Sequence, residues 1–154
     1  PNSQQCFISQ FQGQSISANQ SYFIAFRANS ASEPPNQINM DWRTPSLGYF
    51  SAEEPVFSFI FNTWHHFAIT RKSGFIRTFV DGTMINEEAV PSTHNESSET
   101  IWIGDLNIPL DRRFNGHIED LRITNGVARY TADFTPPNSP FPDELPPAPE
   151  TDPA

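Results

Sequence analysis

Apolar and polar residues alternate along much of this chain, and a period of two is the pattern of a half-buried β-strand. In residues 21–27, Tyr22, Ile24 and Phe26 share one face. In residues 38–43, Ile38, Met40 and Trp42 point one way, while Asn39, Asp41 and Arg43 point the other. Residues 56–61 gather Phe57, Phe59 and Phe61, and residues 64–71 set Phe67 and Ile69 on one side. Further strands are predicted over 74–80, 84–85, 100–103 and 117–124. No stretch of ten or more residues holds a 3.6-residue period. One short helical turn near 127–130 is the only helix expected.

Turn chemistry lies between these segments. Asp81-Gly82 separates two strand-like runs, and Asp-Gly is a strong signal for a two-residue hairpin. Asn125-Gly126 offers the positive φ angles that turns need. Pro34-Pro35, Pro45, Pro55 and Pro91 fall in gaps where no ladder N–H is required. Many short strands with turn residues between them predict an all-β, antiparallel sandwich or barrel.

After Phe134 the composition changes. Residues 136–154 hold more than half of the 15 prolines, with Asp and Glu and few large apolar side chains. Such a segment buries too little surface to offset its ordering entropy. The expected organisation is a domain over 1–136 and an acidic, Pro-rich tail or linker over 137–154. Phe141 and Leu145 are the residues with which that tail would dock on a neighbour.

Composition narrows the partners. The 154 residues fit one domain, and 14 phenylalanines in a chain where leucine is scarce favour pleated sheet over helix. The formal charge of −9 argues against nucleic acid and against anionic membrane surfaces, both of which need clustered cations. It suits neutral, hydroxyl-rich ligands or cations, and it equally describes an ordinary solvated surface. The lone Cys6 allows no internal disulfide. The triplets Asn19-Gln20-Ser21 and Asn95-Glu96-Ser97 match the glycosylation pattern, one that arises often by chance. No run approaches the ~20 apolar residues that span a bilayer. The start at Pro1 resembles neither an initiator nor a signal peptide, so the chain reads as a fragment or a processed product.

From Trp64 onward the residues carry a resemblance. Trp64-His65-His66-Phe67-Ala68-Ile69-Thr70-Arg71, followed by Phe79-Val80-Asp81-Gly82, resembles a strand pair of the laminin-G-like, concanavalin A-like jelly rolls. Ile101-Trp102-Ile103-Gly104 is similar to the next family strand, and residues 114–124 to the closing one. Residues 125–137 resemble the ending common in versions from bacteriophage and marine microbial proteins. The resemblance implies an antiparallel two-sheet β-sandwich. The family usually opens with one or two strands ahead of the position of Cys6-Phe7-Ile8-Ser9, and no counterpart is found here. The expected sandwich therefore lacks its first strands, which a preceding segment or another chain would supply. Trp64 is expected to plug one end of the sandwich. Tyr130 and Phe134 are expected to fold the exit segment over a sheet edge.

Some jelly rolls of this type hydrolyse glycosides, a reaction that needs two carboxylates at a set separation. The related glucanases place them as Glu-x-Asp-x-x-Glu, and that pattern is absent here. Glu119 and Asp120 are adjacent, so on a strand they would face opposite sides. His65 and His66 diverge in the same way, which leaves no convergent metal ligands beside them. The resemblance implies calcium as the one cofactor to consider, held at the sandwich rim by oxygen ligands. Asp105 and Asp111 are the candidate ligands. Asp105, Asn107, Asp111, Arg112 and Arg113, on one expected loop over 105–115, are the candidate ligand-binding residues. Turn capping is the simpler use of the same acidic and amide side chains.

Two classes of function are expected. The first is a non-catalytic, lectin-like adhesion domain of a phage fibre or surface protein, with polysaccharide as its partner. The second is a structural domain that decorates a virion and contacts other virion subunits, as a homo-oligomer or within a larger assembly. A hydrolase ranks behind both. The expected location is a virion surface or the extracellular space.

Overall fold

The computed structural model describes residues 4–10, 22–27, 37–44, 48–53, 62–89, 100–105 and 113–141. Among these the protein is all-β, with two antiparallel sheets. Eight strands run in the order β1 (Gln4–Gln10), β2 (Tyr22–Arg27), β3 (Gln37–Thr44), β4 (Gly48–Glu53), β5 (Phe67–Lys72), β6 (Phe75–Val80), β7 (Thr83–Ala89) and β8 (Ile101–Ile103). The first sheet has the order β4-β3-β2-β1-β8, and the second β5-β6-β7. The strand expected over 56–61 lies outside the described residues.

Local chemistry explains the tight turns. Asp81 and Gly82, at φ 50° and 83°, connect β6 to β7 with the two positive angles of a type I′ hairpin. Ser73 and Gly74 do the same between β5 and β6, at φ 52° and 77°. Two strand pairs also carry an accommodation. β1 slips register between Cys6 and Ile8, so Phe7 is an extra residue against β2. The β6–β7 ladder slips between Thr78 and Phe79, which leaves Ile85 as the extra residue on β7. Arg77 faces Glu87 across that ladder, with Nε 2.6 Å from Oε2.

The two sheets meet through Phe7, whose ring lies 5.4 Å from Phe67 of β5 and 4.7 Å from Phe114. Cys6, Ile8 and Ser9 are buried around this contact. On the second sheet Thr78, Phe79 and Val80 are all buried, although consecutive strand residues point to opposite faces. β6 is therefore covered on both sides. Phe67 and Ile69, paired with Val80 and Thr78, alternate onto the face that meets Phe7. Ala68 and Thr70 alternate onto the outer face, along with Phe79.

Residues 130–136 cover that outer face as a strap. Tyr130 and Phe134 stack on each other with centroids 3.5 Å apart, and Phe134 lies 5.4 Å from Phe79. Three hydrogen bonds tie the strap down, to β5, to β7 and to the turn between β6 and β7. Thr70 Oγ1 donates to the Tyr130 carbonyl (2.7 Å), Met84 N–H to Asp133 Oδ1 (2.8 Å), and Phe134 N–H to the Gly82 carbonyl (2.9 Å). The exit segment thus crosses a sheet face, where an edge was expected. Beyond it, Arg122 lies 4.0 Å over the ring of Phe141, so the start of the Pro-rich tail docks on the domain.

Two sequence expectations fail. Residues 117–124 form no strand, because no described strand offers them a ladder and Asp120 turns to φ 52°. Residues 127–130 form no helical turn. Gly126, at φ 82°, reverses the chain there instead. Two strands also differ in extent. β5 begins at Phe67, three residues after Trp64, and β7 runs to Ala89 where only 84–85 was expected.

Candidate functional site

The loop after β8 is built on a bonded base. Gly104 N–H donates to the Phe7 carbonyl (2.7 Å), and Phe114 N–H donates to the Gly104 carbonyl (2.8 Å). Arg113 pairs with Cys6 in a parallel bridge, and Asn115 N–H donates to Gln5 Oε1 (2.9 Å). Both feet of the loop are therefore fixed to β1 within a few residues of each other. A rigid base under a surface loop is the usual arrangement for a recognition site.

Of the residues expected on that loop, Asp105 and Arg113 stand at its two feet. Asp105 is half-buried, and its carbonyl accepts Ser9 Oγ (2.9 Å), so that oxygen is already engaged. Arg113 is exposed. Asn107, Asp111 and Arg112 lie outside the described residues, so of the expected five only Asp105 and Arg113 are described. Asp105 and Asp111 as calcium ligands share that position. Among the described residues no three His, Cys, Asp or Glu side chains converge as a metal site.

The aromatic side chains are arranged otherwise than the sequence implied. Trp64 does not plug the sandwich, since it is 63% exposed, with its ring 6.4 Å from that of His117. Trp102 on the edge strand β8 is 39% exposed. These two indoles are the large rings that the sequence reading left out of the candidate site. Burial of a lone Trp depends on what other elements cover it, and alternation carries no trace of that.

A second surface is apolar and open. Ile118, Leu121, Ile123 and Val127 are each at least 40% exposed. Between them Arg122 and Thr124 turn inward, with Arg122 over Phe141 and Thr124 Oγ1 accepting Arg129 Nε at 3.1 Å.

His65 and His66 do not act as a pair. His65 Nδ1 lies 2.7 Å from Asp81 Oδ2, while His66 donates its backbone N–H to Asp81 Oδ1 at 2.8 Å. The His66 ring packs beside Phe134 at 5.4 Å and Tyr130 at 6.3 Å. Burial holds its imidazole below the usual value of 6.5, against an opposing pull from the Asp81 carboxylate. Asp81 thus fixes both histidines to the β6–β7 turn, a structural task.

Comparison with curated proteins and with solved structures finds no match. The family model described as the concanavalin A-like lectin/glucanases superfamily matches residues 1–130, which includes the first sheet and, up to residue 130, the segment that carried the resemblance. With two antiparallel sheets, no helix among the described residues and most of its length matched, this chain belongs to the concanavalin A-like lectin/glucanase superfamily.

Proposed function

We propose that the domain is a non-catalytic, lectin-like module that holds polysaccharide on a surface, and that it works in an adhesion protein of a phage virion. The observation that carries the binding reading is the open indole of Trp64, 63% exposed beside His117. A pyranose presents one face of C–H groups, and a flat aromatic ring in water is a favourable surface for it. The acidic chain repels polyanions and leaves hydroxyl-rich glycans as the fitting class. The superfamily contains both lectins and glucanases by its description. The absent Glu-x-Asp-x-x-Glu pattern is the reason to choose binding over hydrolysis. The phage setting rests on the likeness of residues 125–137 to endings from such proteins. Calcium, if used, would act at the loop that begins at Asp105.

The test is a glycan array with the native chain and with Trp64→Ala, in calcium and in chelator. Binding that Trp64→Ala abolishes supports the module. Silence across plausible polysaccharides, or release of reducing sugar from any of them, counts against it.

The exposed row Ile118, Leu121, Ile123 and Val127 favours a second reading. Exposed apolar residues gathered on one segment are a mark of protein contacts, and a segment patterned as a strand, with no ladder among the described residues, suits strand addition by a partner in an assembly. Light scattering decides between the two readings. A glycan-binding monomer supports the module, and an oligomer indifferent to glycan supports assembly.

A further inference from the structure

His66 occupies an unusual place under the strap. Tyr130 and Phe134 are parallel within 5° at 3.5 Å, and His66 stands nearly perpendicular to both, at 79° and 76°. The three centroid separations put the imidazole beside the rim of Phe134, in the plane of that ring and not above its face. Phe79 sits against the same stack at the same two distances, 5.4 and 6.3 Å. The rim of an aromatic ring carries the positive end of its quadrupole. A cation there receives none of the attraction that a ring face would give it. The Nδ1 atom of His66 is buried and has no hydrogen-bond partner.

We propose that residues 130–136 form a proton-released strap: in mildly acidic solution His66 takes up a proton, and the strap lifts from the outer face of the β5–β6–β7 sheet. The imidazolium carries N–H on both nitrogens. Its Nδ1–H would be a buried donor on a charged ring; the Asp81 charge and the His66 backbone favour it, burial outweighs both, and that cost is relieved when the strap leaves. Asp81 is the anion whose charge acts on the ring. Its Oδ1 already accepts His66 N–H and its Oδ2 meets His65 Nδ1, so neither oxygen is disengaged to reach His66 Nδ1. From the strap, Asp133 is committed to Met84 N–H, and Arg129 on its flank is bonded to Thr124. From β6 and β7 on that same outer face, Arg77 and Glu87 pair with each other. None of these described groups is therefore placed to neutralise the added proton by direct contact.

The experiment is amide hydrogen exchange by NMR on the whole chain, corrected for intrinsic rates, from about pH 7.5 to about pH 5, the interval in which histidine titrates. Protection at Phe134 and Met84, which the strap bonds supply, is expected to fall about tenfold for each pKa unit separating docked from released His66. Protection at Ile69 and Thr78, in the β5–β6 ladder, stays level. In His66→Phe the fall disappears, and His66→Asn serves as the second neutral variant should the first fold poorly. Level protection at Phe134 in the native chain overturns the proposal. So does an undiminished fall in both His66 variants, or its removal by Asp133→Asn alone.

Discussion

Gly82 is the residue on which the strap and the β6–β7 turn both depend, and replacing it with alanine tests that dependence quantitatively. Its φ of 83° places it where a side chain is strained, at about 1–2 kcal/mol. A Cβ added there also runs into the Phe134 carbonyl oxygen and comes within 2.9 Å of Pro136 Cδ, so the strap must move away. Moving it weakens the Phe134–Gly82 hydrogen bond, at about 1 kcal/mol, and loosens the cover over Phe79. The expected loss is about 3 kcal/mol, or about 6–12 °C in Tm for a domain of this size. Urea unfolding followed by intrinsic fluorescence measures it. Two companions separate the causes. Gly126 has nearly the same φ, 82°, but open space around it, so Gly126→Ala is expected to lose only about 1–2 kcal/mol. Asn tolerates positive φ but brings the same Cβ, so Gly82→Asn should be spared most of the φ strain and still lose about 1–2 kcal/mol through the displaced strap. If Gly82→Asn restores native stability, or if the two alanine variants lose equally, close approach of the strap is not what requires glycine at position 82.

Three further outcomes follow from the same packing. The folded-state pKa of His66 lies below 6.5, so its contribution to stability is complete above that value and declines as pH falls below it; urea midpoints at about pH 7.5 and about pH 5 should differ in that direction, and less so in His66→Phe. Phe79→Ala removes a ring with 0% exposure that is covered on its outer face by the strap, and should cost about 3–5 kcal/mol in the same unfolding assay. Asp81→Ala breaks the bond from His66 N–H and the contact with His65, and leaves alanine at φ 50°; about 2 kcal/mol of lost stability is expected. For this last variant, a midpoint within about 0.5 kcal/mol of native, the range of an ordinary surface change, would show that the two histidine contacts hold nothing.

What the sequence revealed tracks how local each cause is. The strands around Ile24 and Met40 follow from alternation over six or seven residues, and β2 and β3 pair in register through them. Asp81-Gly82 closes its hairpin because two adjacent φ angles suffice for it. β4 escaped the reading since Gly48–Glu53, with glycine, serine and alanine among its residues, shows little alternation, and its pairing with β3 is set by a neighbour. Residues 117–124 show the converse. Their alternation is genuine, but a strand also needs a partner ladder, and no described strand supplies one. At the site, the loop after Asp105 was legible as polar and turn-rich. The bonded base beneath it was not, since Phe7, Gln5 and Ser9 lie about a hundred residues away in the chain. The exposure of Trp64 was hidden for the same reason.

The bonded base of that loop has an evolutionary consequence. Gly104 and Phe114 are joined through backbone groups and anchored on β1, so this closure makes no demand of its own on the side chains between them. Loop-closure entropy rises slowly, by about 0.6 kcal/mol for each doubling of length. On closure entropy alone, a change in the number of residues between Asp105 and Arg113 therefore carries little thermodynamic penalty. The position is a natural cassette, where drift in length leaves the pinned ends inherited unaltered.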